Sequence, residues 1–181
     1  MSDTPRGADT IEGDDVVELI LADHREFERL LRELRNREAD RAGVRSDLAD
    51  LLVAHAEAEE REVYPTLKRK APEEAEDIEH GTEEHAEGHE ALLALLRADA
   101  DDDEAFEEAL EELSEALTHH LDEEERDVLN AARENVSDEQ RSTLGAAFLR
   151  VRGELLDGSP GDVRNVARLV AEGEREGLLD D

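Results

Sequence analysis

His55-Ala56-Glu57-Ala58-Glu59-Glu60-Arg61-Glu62-Val63-Tyr64 and His120-Leu121-Asp122-Glu123-Glu124-Glu125-Arg126-Asp127-Val128-Leu129 are two versions of one ten-residue segment, 65 residues apart. Each opens His-x3-Glu and continues Glu-Arg-acid-Val. The same shift of 65 sets His24 on His89, with leucines behind both (Leu30 and Leu31 against Leu95 and Leu96). One histidine is extra: His85, four residues before His89. Fixed-offset self-similarity is read first, because overlooking it misassigns the fold. Here the repeated positions carry residue types that ligate metals.

Working outward, each segment sits in a helical pattern. The first helix is expected from about residue 15 to 37, with Val16, Ile20, His24, Phe27, Leu31 and Leu34 on one stripe. A connection follows over 40–45, containing Gly43, and Ser46 is the expected N-cap of the second helix. That helix aligns Leu48, Leu52, His55, Glu59 and Val63, and Pro65 is expected to kink or end it before Lys68-Arg69-Lys70. Pro72 suits the first turn of a third helix carrying Ile78, His85, His89, Leu92 and Leu96. Gly81 and Gly88 weaken it by about 1 kcal/mol each relative to Ala, so a flexible turn or a close helix approach is expected there. After an acidic connector over 99–103, a fourth helix runs from about 104 to 135 and aligns Phe106, Leu110, Leu113, Leu117, His120, Glu124 and Val128. Four helices with short connections predict an all-α, up-down-up-down four-helix bundle. Ser137 and Gln140 form a capping box for a fifth helix to about 156, and 162–173 reads as a short sixth. The chain therefore divides into a bundle over 14–135 and a histidine-free C-terminal helical extension over 136–181, expected to cover one end of the bundle. Residues 1–13 read as a loose polar lead-in.

Composition narrows the chemistry. Of 181 residues, 41% are charged and only 2% aromatic, so the core is built from Leu, Val and Ala, which favours helices over strands. There is no cysteine, which excludes thiolate metal sites, disulfides and cysteine nucleophiles and points to a cytoplasmic location. No apolar run approaches the length of a membrane span, and no signal peptide is evident. The net charge of −32 repels nucleic acid and anionic membranes. Lys68 and Lys70 are the only lysines. An acidic, lysine-poor surface suits a salt-rich cytoplasm that screens self-repulsion, so a halophilic source is expected.

Residues four apart on a helix stack on one face. Three such pairs lie on apolar stripes: His55/Glu59, His85/His89 and His120/Glu124, with His24 as a single addition from the first helix. One histidine on an apolar face is usually a satisfied core residue. Five of seven on such faces of four helices, with two carboxylates, are costly to bury unless a cation pairs with them. His119 and His80 fall off the stripes and are expected at the surface, with His80 joining only if the third helix bends. Seven ligands exceed what one tetrahedral ion takes, and imidazole with carboxylate suits Zn, Fe, Ni or Cu. Ferritin-type di-iron bundles use Glu-x-x-His; here the residues three before the five core histidines are Leu21, Leu52, Thr82, Ala86 and Leu117.

The order His, His-x3-Glu, His-x3-His, His-x3-Glu along four helices resembles the hemerythrin-like, or HHE cation-binding, domain over roughly residues 14–135. The resemblance implies a four-helix bundle around two non-haem irons with an oxo or hydroxo bridge. It implies that His85, His89 and His120 bind one iron, His24 and His55 the other, and Glu59 and Glu124 both. It also implies a vacant position for O2 or another small ligand such as azide or nitric oxide. For the second bridging acid, Glu124 is the repeat-matched choice and Glu125 the neighbour in register. The aromatic supply is small, only Phe27, Tyr64, Phe106 and Phe148, which predicts a lightly shielded pocket. The expected function is small-ligand binding at a di-iron centre for sensing, storage or stress response. The alternatives are a di-iron oxidoreductase acting on peroxide or nitric oxide, an iron-handling protein, and a bundle stapled by one zinc. No protein partner is legible. His55→Ala or Glu59→Ala should lower iron content and thermal stability together, because the buried partners lose their pairing. His119→Ala should change neither; iron analysis and a thermal melt read both.

Overall fold

The computed structural model describes residues 15–99 and 102–179, all of it helix, turn or coil with no strand among the described residues. The expected lead-in over 1–13 and the middle of the acidic connector lie outside them. Helix α1 spans Val16–Leu34, capped by the Asp15 carboxylate, which accepts from the Val17 N–H at 2.9 Å. Helix α2, Arg41–Ala58, begins five residues before the expected Ser46. Asp40 is the cap, accepting from the Gly43 N–H at 3.1 Å. Gly43 permits this: a Cβ there would lie 2.6 Å from the Asp40 carboxylate. The satisfied amide offsets the helical cost of glycine.

Pro65 neither ends nor sharply interrupts its helix. After α2 the chain makes a π-helical turn, Glu59–Val63, and continues as α3, Tyr64–Lys70, with Pro65 in its first turn. The Tyr64 N–H donates to the Glu59 carbonyl five residues back. The second repeat behaves identically without a proline: α5 (Asp103–Glu123) enters a π turn, Glu124–Val128, and continues as α6, Leu129–Asn135. The widened turn therefore belongs to the repeated segment, not to Pro65. Such turns are concentrated at functional sites. Between these rods, a 3-10 turn at Pro72–Glu74 leads into α4, Ala75–Arg97.

Two apolar clusters fill the interior. One includes Phe27, Leu48, Leu92, Phe106, Leu113 and Val166. The other includes Ile20, Val63, Leu67, Ile78, Val128 and Phe148. Along each rod the candidate ligands fall between the two: His24 lies between Ile20 and Phe27, and His85 and His89 between Ile78 and Leu92. The polar residues form a waist held between two greasy ends.

Helix α7, Asp138–Leu156, starts at Ser137 as expected, its hydroxyl accepting from the Gln140 N–H. Helix α8, Val163–Glu176, ends three residues beyond the expected 173. Neither sits simply on one end: α7 packs against α1 and α2, and α8 against α4. Gly161 anchors the connection between them. Its N–H donates to the Asp50 carboxylate at 2.7 Å, and a Cβ there would lie 2.4 Å from the α2 backbone at Ala49 and Asp50. No helix among the described residues is long and apolar enough to cross a membrane. Gly161→Ala should cost about 1–3 kcal/mol, the usual penalty for forcing atoms into a filled contact. Urea unfolding checks this, and an unchanged midpoint would refute the close contact.

Candidate metal centre

Each of four histidines uses both ring nitrogens in the same way. His24 turns Nε2 to Glu124 at 3.2 Å and Nδ1 to Glu125 at 2.8 Å. His55 turns Nε2 to Glu59 at 3.3 Å and Nδ1 to Asp23 at 3.1 Å. His85 turns Nε2 to Glu59 at 3.3 Å and Nδ1 to Glu60 at 2.8 Å. His120 turns Nε2 to Glu124 at 3.7 Å and Nδ1 to Glu84 at 2.9 Å. The outer carboxylates fix ring orientation and tautomer, and leave every Nε2 facing inward. Glu59 and Glu124 are buried at the middle, each approached by one imidazole from either side. The rings pair accordingly: His24 with His55 at 5.4 Å between centroids, His85 with His120 at 4.7 Å.

Two groups of ligand atoms result, each gathered within 4.8 Å: His24, His55, Glu59 and Glu124, and Glu59, His85 and His120. Glu59 is common to both. His89 is the one expected residue that joins neither group. It is buried and lines a small pocket with Leu52, Gly88, His85, Leu117 and His120. Glu124, not Glu125, is the inward acid of its pair; Glu125 is half exposed and grips His24 from outside. His80 and His119 are exposed, as expected.

The burial is not self-sufficient. Nε2 of His24, His55, His89 and His120, both oxygens of Glu59 and Oε2 of Glu124 are buried without a hydrogen-bond partner. Buried polar atoms are nearly always satisfied. Six of these seven atoms belong to residues gathered around Glu59 and Glu124, all are of metal-ligating type, and they fit a bound cation. The buried carboxylates draw positive charge to this point. Burial alone would favour neutral His55, but Glu59 and then Asp23 outweigh it and raise its pKa to about 10. Glu59, then Glu60, does the same for His85, also to about 10. Burial opposes ionisation of Glu59, yet His55 and His85 hold its carboxyl well below the usual range. Burial and the charge of His85 push His89 down to about 4, so it stays neutral with a free lone pair.

Two features of the surroundings were not legible in the sequence. Tyr64 is buried, stacks on His85 with centroids 5.6 Å apart, and donates its hydroxyl to Glu124 Oε1 at 2.9 Å. Gly81 makes room for it: a Cβ there would lie 3.0 Å from the phenol oxygen. That is the close approach expected at Gly81; Gly88 has open space instead. The extension supplies the second feature. Arg152 of α7 grips Asp23 with two hydrogen bonds, at 2.8 and 2.7 Å, and so holds the acid that holds His55. Phe148 of α7 sets its edge against His55 at 5.8 Å, and Phe27 does so at 5.1 Å. Three of the four aromatics therefore touch the centre, and the light shielding expected from composition is corrected.

The family model for the hemerythrin HHE cation binding domain matches residues 15–132. The chain belongs to the hemerythrin family. No curated protein and no solved structure matches it. The matched span ends before α7, so Arg152 and Phe148 reach the centre from outside that span. Arg152→Ala should leave Asp23 short of a partner, costing about 1–3 kcal/mol, and weaken retention of a transition-metal ion about 10–100-fold. Metal titration with a chelator competitor measures this; unchanged retention would make α7 mere packing.

Proposed function

We propose that this hemerythrin-family chain is a non-haem di-iron protein that binds O2 or a related small ligand. The observation that carries the reading is the inward convergence of unpaired Nε2 atoms of His24, His55 and His120, each backed by an acid, on the unpaired oxygens of Glu59 and Glu124. His24 and His55 would hold one iron, His85, His89 and His120 the other, and Glu59 and Glu124 would bridge them. The four rods α1, α2–α3, α4 and α5–α6 would then form the up-down-up-down bundle typical of such centres. A bound di-iron pair supplies a ligand position for a diatomic or small anion and a reversible change of oxidation state.

The chain's own residues do the rest. The outer acids Asp23, Glu60, Glu84 and Glu125 raise the donor strength of the imidazoles. Phe27 and Phe148 exclude water on the side of His55. The Tyr64 phenol, kept protonated by burial and by Glu124, holds a proton at Glu124 Oε1. That phenol is the one observation favouring the alternative, turnover of peroxide or nitric oxide, since it could donate a proton near bound substrate. The acidic, lysine-poor composition supports a cytoplasmic home in a halophile.

Protein purified from iron-replete cells should carry about two irons per chain, with a charge-transfer band that shifts on adding azide. Metal analysis and an optical spectrum read both. Iron near zero, or a single zinc whose removal unfolds the chain, would overturn the reading.

A further inference from the structure

Outside the buried centre, α4 and α5 bring a second set of ligand types together. His80, Glu84, His119 and Glu123 offer four atoms within 4.8 Å of one another. His80 Nε2 lies 3.8 Å from Glu84 Oε1 and 3.5 Å from Glu123 Oε2. His119 Nε2 lies 3.5 Å from Glu84 Oε1 and 3.8 Å from Glu123 Oε1. A tetrahedral ion bonded at about 2.0–2.2 Å sets its ligands about 3.3–3.6 Å apart, so these separations need little adjustment. His80 Nδ1 meets Glu83 at 3.3 Å, which leaves Nε2 free to ligate, as in the buried centre.

Glu84 supplies the independent sign. Its side chain is only 5% exposed, and its Oε1 is buried with no hydrogen-bond partner while aimed at both exposed imidazoles. Its other oxygen is committed to His120 Nδ1 at 2.9 Å. One carboxylate thus faces two places at once. A narrow pocket lined by His80, Gly81, Glu84 and Glu123 reaches Glu124 of the buried centre. The strongly negative chain also concentrates cations at its surface.

We propose that His80, Glu84, His119 and Glu123 form a second, solvent-facing site for a borderline divalent cation such as Zn2+, adjoining the buried centre through Glu84. Two imidazoles and two carboxylates match that class of ion. The exposure of His80 and His119 makes the site exchangeable, unlike the enclosed one. The site goes beyond the di-iron reading and does not need the buried centre to hold iron.

The test compares the untagged, iron-loaded chain with a His80→Ala/His119→Ala variant, both exposed positions whose loss leaves the cores intact. Each is dialysed against Zn2+, and zinc and iron are counted separately by mass spectrometry. The parent should bind one zinc more than the variant, with iron equal in both; Glu123→Gln should weaken that zinc at least tenfold. Equal zinc uptake and affinity in parent and variant would overturn the proposal and leave the cluster as histidine–carboxylate ion pairs. Should neither protein contain iron, the di-iron reading fails while the zinc difference still decides this one.

Discussion

The structure depends on an arrangement in which four buried imidazoles, of His24, His55, His85 and His120, each stand between two acids. The inner acids, Glu59 and Glu124, are shared; the outer ones, Asp23, Glu60, Glu84 and Glu125, each hydrogen-bond one buried ring. Burying so many ionisable groups is expensive unless opposite charges and hydrogen bonds meet them. Here the outer bonds are made and the inner ones are not, so the protein carries a concentrated deficit at its waist. A cation removes that deficit. The two apolar clusters pack the rods together on either side of it.

The internal repeat takes a form different from the simple shift of 65. His55-x3-Glu59-Glu60 and His120-x3-Glu124-Glu125 keep that offset and share the π turn. In α1 and α4, however, the counterparts are the dipeptides Asp23-His24 and Glu84-His85, 61 apart. Asp23 backs His55 as Glu84 backs His120, and Glu125 backs His24 as Glu60 backs His85. The extra residue is thus His89, one turn beyond the symmetric set, and not His85. One side of the centre is offered an additional neutral imidazole, which makes the two halves chemically unequal.

The C-terminal extension is tied into this arrangement. Arg152 completes the chain Arg152–Asp23–His55–Glu59, which runs from solvent to the innermost carboxylate. Phe148 closes the same side. Conversely, the side near His80 and Glu84 is lined by polar side chains such as Asp77, His80 and Glu123, and a pocket there reaches Glu124. One flank is sealed by a helix and the other is polar and accessible.

The sequence by itself determined the helices, the ligand types and their faces, because a 3.6-residue period and a four-residue spacing are local properties of the chain. Six of the seven expected side chains lie in two overlapping groups of ligand-type atoms. Helix boundaries failed where a nonlocal or fine detail decided them, as at Asp40 with Gly43, and at Pro65, where a wider turn absorbs the proline. Only the tertiary structure decided which acid backs which imidazole, that Glu124 faces in and Glu125 out, that Tyr64 and Arg152 serve the centre, and that His80 and His119 converge on Glu84. Those contacts join residues up to 129 positions apart. Their partners are fixed by how the rods pack, and no spacing along the chain encodes it.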